Sequence, residues 1–312
     1  MAHKYGGPWS EVKLDAVEYY LQCYTNALTP KGMDIWYIDA YAGSGDREAE
    51  RTIGGLMEGA PVEKIVETLD GSVRRALKIT PPYKHFIFIE KDLERVKALQ
   101  AVNADFPDTD IQIRQGDANA ELLKLCQQEP WIRKSKSVSR AVVFLDPFAM
   151  QVDWTTVCAL AETECVDVWY FFNVSVVTRN LALSMDGVGN KAVTLDRVVS
   201  PRWRELYEIQ PEHEPAYQPN MFELEAAAPT PSAKRTIAKH QVDKWFKGIL
   251  AEKFAFVSEP LPIMTPHSGH TFSLFLAVAN KHPKATELAE KFVRYVNRNF
   301  GPRPASRRTS AR

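Results

Sequence analysis

From its first third to its middle the chain repeats one pattern: an apolar segment of strand length, a polar turn, then apolar residues at helical spacing. The strand-like segments are Asp34 to Ile38, "HFIFIE" ending at Glu90, "IQIRQGD" ending near Asp117, "AVVFLDPF" and "VDVWYFFN". A strand with one wet face alternates apolar and polar side chains, whereas most of these are apolar at both parities, so both faces must be covered. An α/β architecture follows, with a mostly parallel sheet between two helical layers. A helix from Ser10 to Leu28, with Leu14, Val17, Leu21, Tyr24 and Leu28 in its stripe, precedes the first strand. Pro61 is expected to open a second helix carrying Val62, Ile65, Val66 and Leu69. Asp92 is expected to cap a third, with Leu93, Val96 and Leu99 inward. "ELLKLCQQ" and "WTTVCALAE" supply two more.

The pattern breaks after about Asn180. Helices are expected near Leu195 to Glu208 and near Lys234 to Lys253, joined by an exposed connection with five prolines between residues 211 and 233. "FAFVSEPLPIM" and "HTFSLFLAVAN" then pair as antiparallel strands, and a helix through Leu288, Phe292, Tyr295 and Val296 closes the chain. One domain over 1–301 is expected: a core to 180, an insertion over 181–253 and returning elements over 254–301. A basic tail, 302–312, is expected to be disordered.

Composition excludes several classes. No apolar run reaches the roughly 18 residues of a membrane helix, and "MAHKYGGPWS" lacks the apolar stretch of a secretory signal, so a cytoplasmic location is expected. Cys23, Cys126, Cys158 and Cys165 form no CxxC pair and read as core thiols. No metal site is expected, because His267 and His270 have no carboxylate or cysteine beside them. Charge balances at 39 basic against 39 acidic residues, but the tail holds Arg303, Arg307, Arg308 and Arg312 without an acid.

The chemistry lies at the strand ends, where open parallel sheets bind ligands. Asp39, with Gly43 and Gly45 after it, then Glu90, Asp117 and Asp146 come one from each of four successive strands. A dinucleotide fingerprint needs a third glycine at position 48, which is Glu48, and a phosphate-binding loop needs a lysine and a hydroxyl residue after its last glycine. Acids without a phosphate cradle suit a cationic or neutral nucleoside. In S-adenosylmethionine, ribose hydroxyls and the adenine amino group are donors that carboxylates accept.

"DAYAGSG", Glu90, Asp117 and "FLDPF" together resemble the motifs of class I methyltransferases. The resemblance implies a Rossmann-like seven-stranded sheet with an antiparallel last strand. It implies a cofactor site of Asp39, Tyr41, Ala42, Gly43, Gly45, Glu90, Lys91, Asp117, Ala118 and Asp146. Asp146, Pro147 and Phe148 would face the acceptor, with Asp146 orienting or deprotonating it, although one proline stands where amine methyltransferases carry two. The order of "KLDAVEYYLQCY", "YIDAYAGSG", "GGLMEGAPVEKI", "FIFIEKD", "FLDPFAMQVDW", "VDVWYFFNVSVVTRN" and "SLFLAVANKHP" is similar to that of the three-Cys-motif partner family, TcmP. That likeness implies a separate three-cysteine protein as partner.

Other readings stand beside the enzyme. Nucleic acid is the favoured acceptor, because Lys234, Arg235, Lys239, His240, Lys244 and Lys247 are expected on one helix with Trp245 and Phe246 interleaved, and the tail adds arginines. Asn173 and Arg179 follow the fifth strand, where substrate groups converge. A non-catalytic partner protein would instead expose Trp203, Tyr207, Tyr217 and Phe222.

Overall fold

The computed structural model describes residues 8–53, 63–128, 130–131, 139–208, 233–265 and 269–300. Helix α1 (Pro8–Leu28) precedes β1 (Asp34–Asp39); an antiparallel ribbon follows, made of β2 (Asp46–Ile53) and β3 (Glu63–Asp70). The repeating unit then runs α2 (Ser72–Leu77), β4 (His85–Glu90), α3 (Leu93–Ala104), β5 (Asp110–Gln115), α4 (Ala118–Cys126), β6 (Ser139–Leu145), α5 (Trp154–Glu162), β7 (Val166–Phe172) and α6 (Val174–Asn180). The later part holds α7 (Lys191–Val199), the two-residue pair β8 (Tyr207–Glu208) and β9 (Lys234–Arg235), and α8 (Val242–Ala251). It ends in β10 (Phe256–Val257), β11 (Leu261–Thr265), β12 (Gly269–Val278) and α9 (Pro283–Phe300).

The main sheet is ordered β10-β12-β7-β6-β1-β4-β5, with β11 also on β12. β5, β4, β1, β6 and β7 are parallel, and β12 runs antiparallel to β7, β10 and β11. This is the mostly parallel, Rossmann-like arrangement that the sequence leads one to expect. The order reverses direction at β1, between β4 and β6, which is where an open sheet forms a ligand crevice.

The sheet has eight strands where seven were expected, because the last edge is broken between Val257 and Leu261. Ser258 bridges the break: its N–H donates to the Leu276 carbonyl at 2.8 Å, and its Oγ accepts from Leu276 N–H at 3.0 Å.

Successive strand residues enter opposite cores, which explains the doubly apolar segments. Val166, Val168, Tyr170 and Phe172 of β7 lie in one core, and Trp169 and Phe171 in the other. The first core also takes Leu195, Val198 and Trp203 from the inserted region, and Phe246 of α8 stacks on Phe172 with centroids 4.1 Å apart. The second is closed by Leu14, Val17, Tyr20, Leu21 and Tyr24 of α1 and by Val293 and Val296 of α9. No described helix is long and apolar enough to cross a membrane.

Several expectations are corrected. The helix expected from Pro61 is strand β3, paired with β2 in register Asp46 to Asp70 through Ile53 to Glu63; Pro61 and Val62 lie outside the described residues. Ile65, Val66 and Thr68 are β-branched, and the partner strand decides between two spacings that the segment satisfies equally. Leu93, expected inward, is 51% exposed, while Val96 and Leu99 are buried. The helix expected from Leu195 to Glu208 is α7 followed by a 3₁₀ turn, Pro201–Leu206. The basic helix expected from Lys234 is divided: Lys234 and Arg235 are in β9, Lys239 and His240 in a 3₁₀ turn, and Lys244 and Lys247 in α8. Phe246 is fully buried, so the interleaved aromatic surface does not form. Trp203 and Tyr207 are buried as well; Tyr217, Phe222, the proline-rich connection, His267 and the arginine tail lie outside the described residues.

Burial pushes the Asp167 carboxyl up to about 7, against a hydrogen bond of 2.7 Å from the Tyr20 hydroxyl that favours the ionised form. A carboxyl with a raised folded-state pKa binds its proton more tightly folded than unfolded, so its contribution is complete in acid and is lost as pH rises through about 7. Stability should therefore fall between pH 4 and 7, by at most about 1.4 kcal/mol per pH unit from this group. Asp167→Asn should flatten the melting-temperature profile over that range, and an unchanged profile would assign the slope to other groups.

Candidate functional site

A cavity of about 920 Å³ opens over the carboxyl ends of β1, β4, β5 and β6. Its floor is the loop after β1. Gly43 and Gly45 have φ of +65° and +83°, in the left-handed region that side chains disfavour. A Cβ on Gly45 would stand 3.0 Å from Val102 Cγ2 and 3.4 Å from Leu99 Cδ2. Gly45→Ala should therefore lower stability by about 1–2 kcal/mol, read as a lower unfolding midpoint. An unchanged midpoint would mean that the loop relaxes freely.

Glu90 ends β4 with its side chain only 9% exposed. Its Oε2 accepts from Gly43 N–H at 3.0 Å, and its Oε1 accepts from Lys91 N–H at 2.7 Å and Asp92 N–H at 2.8 Å. These backbone donors fix the glycine loop against α3. Asp117 caps α4, its Oδ1 accepting from Asn119 N–H at 3.1 Å and Ala120 N–H at 3.3 Å. Asp92 caps α3 in the same way, accepting from Arg95 N–H at 3.0 Å.

Of the sequence-predicted residues, Tyr41, Ala42, Gly43, Gly45, Glu90, Lys91, Asp117, Ala118, Asp146, Pro147 and Phe148 all line the cavity. Asp39 is not among the lining residues. It is fully buried on the same strand face as Tyr37, beneath α2, and accepts from Ser72 Oγ at 2.6 Å and Tyr41 N–H at 3.1 Å. Burial pushes its carboxyl up to about 7 despite those donors. Asp39 thus braces the loop from behind. Asn173 caps α6, accepting from Val176 N–H at 3.0 Å, and neither it nor Arg179 lines the cavity.

At the other end of the cavity, Asp146 meets a residue that strand-end reasoning missed. Lys13 of α1 lies 2.5 Å from Asp146 Oδ2 through its Nζ, with its side chain 10% exposed and the Asp146 side chain 26% exposed. The same ammonium is 4.5 Å from the centroid of the Phe171 ring. The signal was present in the sequence, for Lys13, Val17, Tyr20 and Tyr24 fall at helical spacing and place a lysine at the head of a buried stripe. Phe148 is 55% exposed, with the Arg95 guanidinium 5.7 Å from its centroid.

The loop carrying Phe148 is tied down on two sides. Asn119 donates through Nδ2 to the Gln151 carbonyl at 2.7 Å and accepts from Asp153 N–H at 2.8 Å. Arg197 of the inserted α7 pairs with Asp153 at 2.5 Å and donates to the Met150 carbonyl at 3.1 Å. Neither tie has a signature in the sequence.

Carboxylates at Glu90 and Asp117 match the hydroxyl and amino donors of an adenosine, and the narrow glycine turn admits close approach of its sugar. The donor set fits S-adenosylmethionine. Among the described residues no cluster of histidine, cysteine, aspartate or glutamate is arranged to hold a metal ion.

No family model matches the chain, and no curated protein matches it. Among solved structures, the Legionella pneumophila protein LPL1258 aligns over 96% of this chain and 95% of its own, at 12% identity and a TM-score of 0.49. An S-adenosylmethionine-dependent methyltransferase from Clostridium acetobutylicum aligns over 84% and 91%, at 8% identity and a TM-score of 0.32. Likeness at this level says nothing of ligand or activity.

Proposed function

We propose that the cavity binds S-adenosylmethionine and that the chain is a methyltransferase whose acceptor rests on Asp146, Pro147 and Phe148. The observation that carries this reading is the separation of carboxylates within one cavity. Glu90 and Asp117 stand on the glycine-loop side, whereas Asp146 is drawn to Lys13 and Phe171 on the other. Glu90 would hold the ribose, Asp117 the adenine amino group, and the backbone of Ala42 to Gly45 the remainder. When bound, S-adenosylmethionine supplies an activated methyl group on a sulfonium sulfur.

The chain's own contribution is placement. Asp146 accepts a hydrogen bond from the acceptor or takes its proton, Phe148 offers a ring face, and the Asn119 and Arg197 ties hold both in position. The motif order that resembles the TcmP family makes a three-cysteine protein the first macromolecule to offer as acceptor or partner. Nucleic acid keeps the arginine tail as its support and loses the basic helix.

Calorimetric titration of the purified chain with S-adenosylmethionine should give saturable binding, while ATP and NAD give none. Absence of heat with S-adenosylmethionine under conditions where the chain is folded would overturn the reading.

A further inference from the structure

We propose that Lys13 is itself a methyl acceptor, so that the chain modifies its own Nζ when no other acceptor occupies the site. This rests on the cavity being an S-adenosylmethionine site. Lys13 and Asp146 are 133 positions apart, yet α1 brings the ammonium into hydrogen-bond contact with the carboxylate assigned to hold the acceptor. An amine bonded to that carboxylate stands where an acceptor nitrogen belongs.

Three further observations support the assignment. Lys13 is sheltered, and its helix is fixed by Arg75 of α2, which pairs with Glu11 at 2.5 Å, Asp15 at 2.6 Å and Glu18 at 2.8 Å. The ammonium lies 4.5 Å and 6.0 Å from the ring centroids of Phe171 and Phe144. Phe272 stacks on Phe171 with centroids 4.5 Å apart and also lines the cavity. A methylated ammonium keeps its charge and its partner and adds apolar surface against those rings, which is what aromatic surroundings favour. Lys91, the other lysine of the lining, is exposed and follows Glu90 on the glycine-loop side.

The step balances without a further reactant. Asp146 takes a proton from the Lys13 ammonium, which frees the nitrogen lone pair. The N–C bond forms as the C–S bond of the sulfonium donor breaks, and the electron pair stays on sulfur as the neutral thioether. Methyl-lysine carries the positive charge, and the proton leaves Asp146 for solvent.

The full chain should be incubated with methyl-labelled S-adenosylmethionine alone and then mapped by peptide mass spectrometry, with donor affinity measured by calorimetry on the same preparations. The expected result is a single methyl group on the peptide holding Lys13, and none in Lys13→Arg. Asp146→Asn should remain unlabelled at donor concentrations that saturate it in calorimetry, with its melting curve recorded to establish folding. The chain as isolated from cells should carry a fraction already methylated at Lys13. Label on another residue, or no label in a chain that binds the donor, overturns the proposal. A chain that does not bind the donor overturns both the proposal and the reading of the cavity.

Discussion

Glu90→Gln is expected to weaken S-adenosylmethionine binding by roughly 10- to 100-fold in calorimetric titration. A hydrogen bond to a charged group contributes about 1.5–3 kcal/mol, and about 1.4 kcal/mol corresponds to a tenfold change in affinity. The substitution removes the charge and replaces one acceptor oxygen by a donor amide. That amide must face backbone N–H groups, because both carboxylate oxygens already accept from them: Gly43 on one side, Lys91 and Asp92 on the other. Some loss of thermal stability should accompany the loss of affinity. If the melting temperature falls while affinity is unchanged, Glu90 is a tie for the glycine loop and has no part in holding the ribose.

Asp146→Ala is expected to destabilise the chain by about 3 kcal/mol, because it strands a sheltered cation. The Lys13 side chain is 10% exposed and is packed over Phe171, so water cannot fully replace the lost carboxylate. Removing the cation too, in Lys13→Met/Asp146→Ala, should restore most of the unfolding midpoint. Equal midpoints for Asp146→Ala and the parent chain would show that the pair is not closed in solution. Methyl transfer should be lost in both variants, so stability and activity separate in the double substitution.

How much of this was legible in the sequence follows the range of the interactions concerned. β6 and β7 were readable because five consecutive apolar residues in each, 141–145 and 168–172, leave no wet face for any alternative. Asp92 was readable because an N-cap is a local device, satisfied within three residues. β3 was not, since its choice of strand depends on β2, and the pairing of Lys13 was not, since its partner lies on a turn far along the chain. Asp39 shows a subtler limit. Its place at a strand end was legible, but the parity that turns it under α2 instead of into the cavity depends on where the sheet's two cores lie. Phe246 illustrates the same limit on a helix, where a run of lysines suggested a wet face and the stacked Phe172 claims the ring.

The break in the last edge strand bears on how the molecule behaves when concentrated. An uninterrupted edge would offer a row of free backbone donors and acceptors on which a second chain could build. Here the strand stops between Val257 and Leu261, and Ser258 satisfies the buried Leu276 N–H of β12 with its own hydroxyl. Pro260 and Pro262 flank the resumption and withhold two N–H groups. A docking strand would find only two residues of β10 and five of β11, with a gap between them, so intermolecular sheet growth along this border is interrupted before it can propagate.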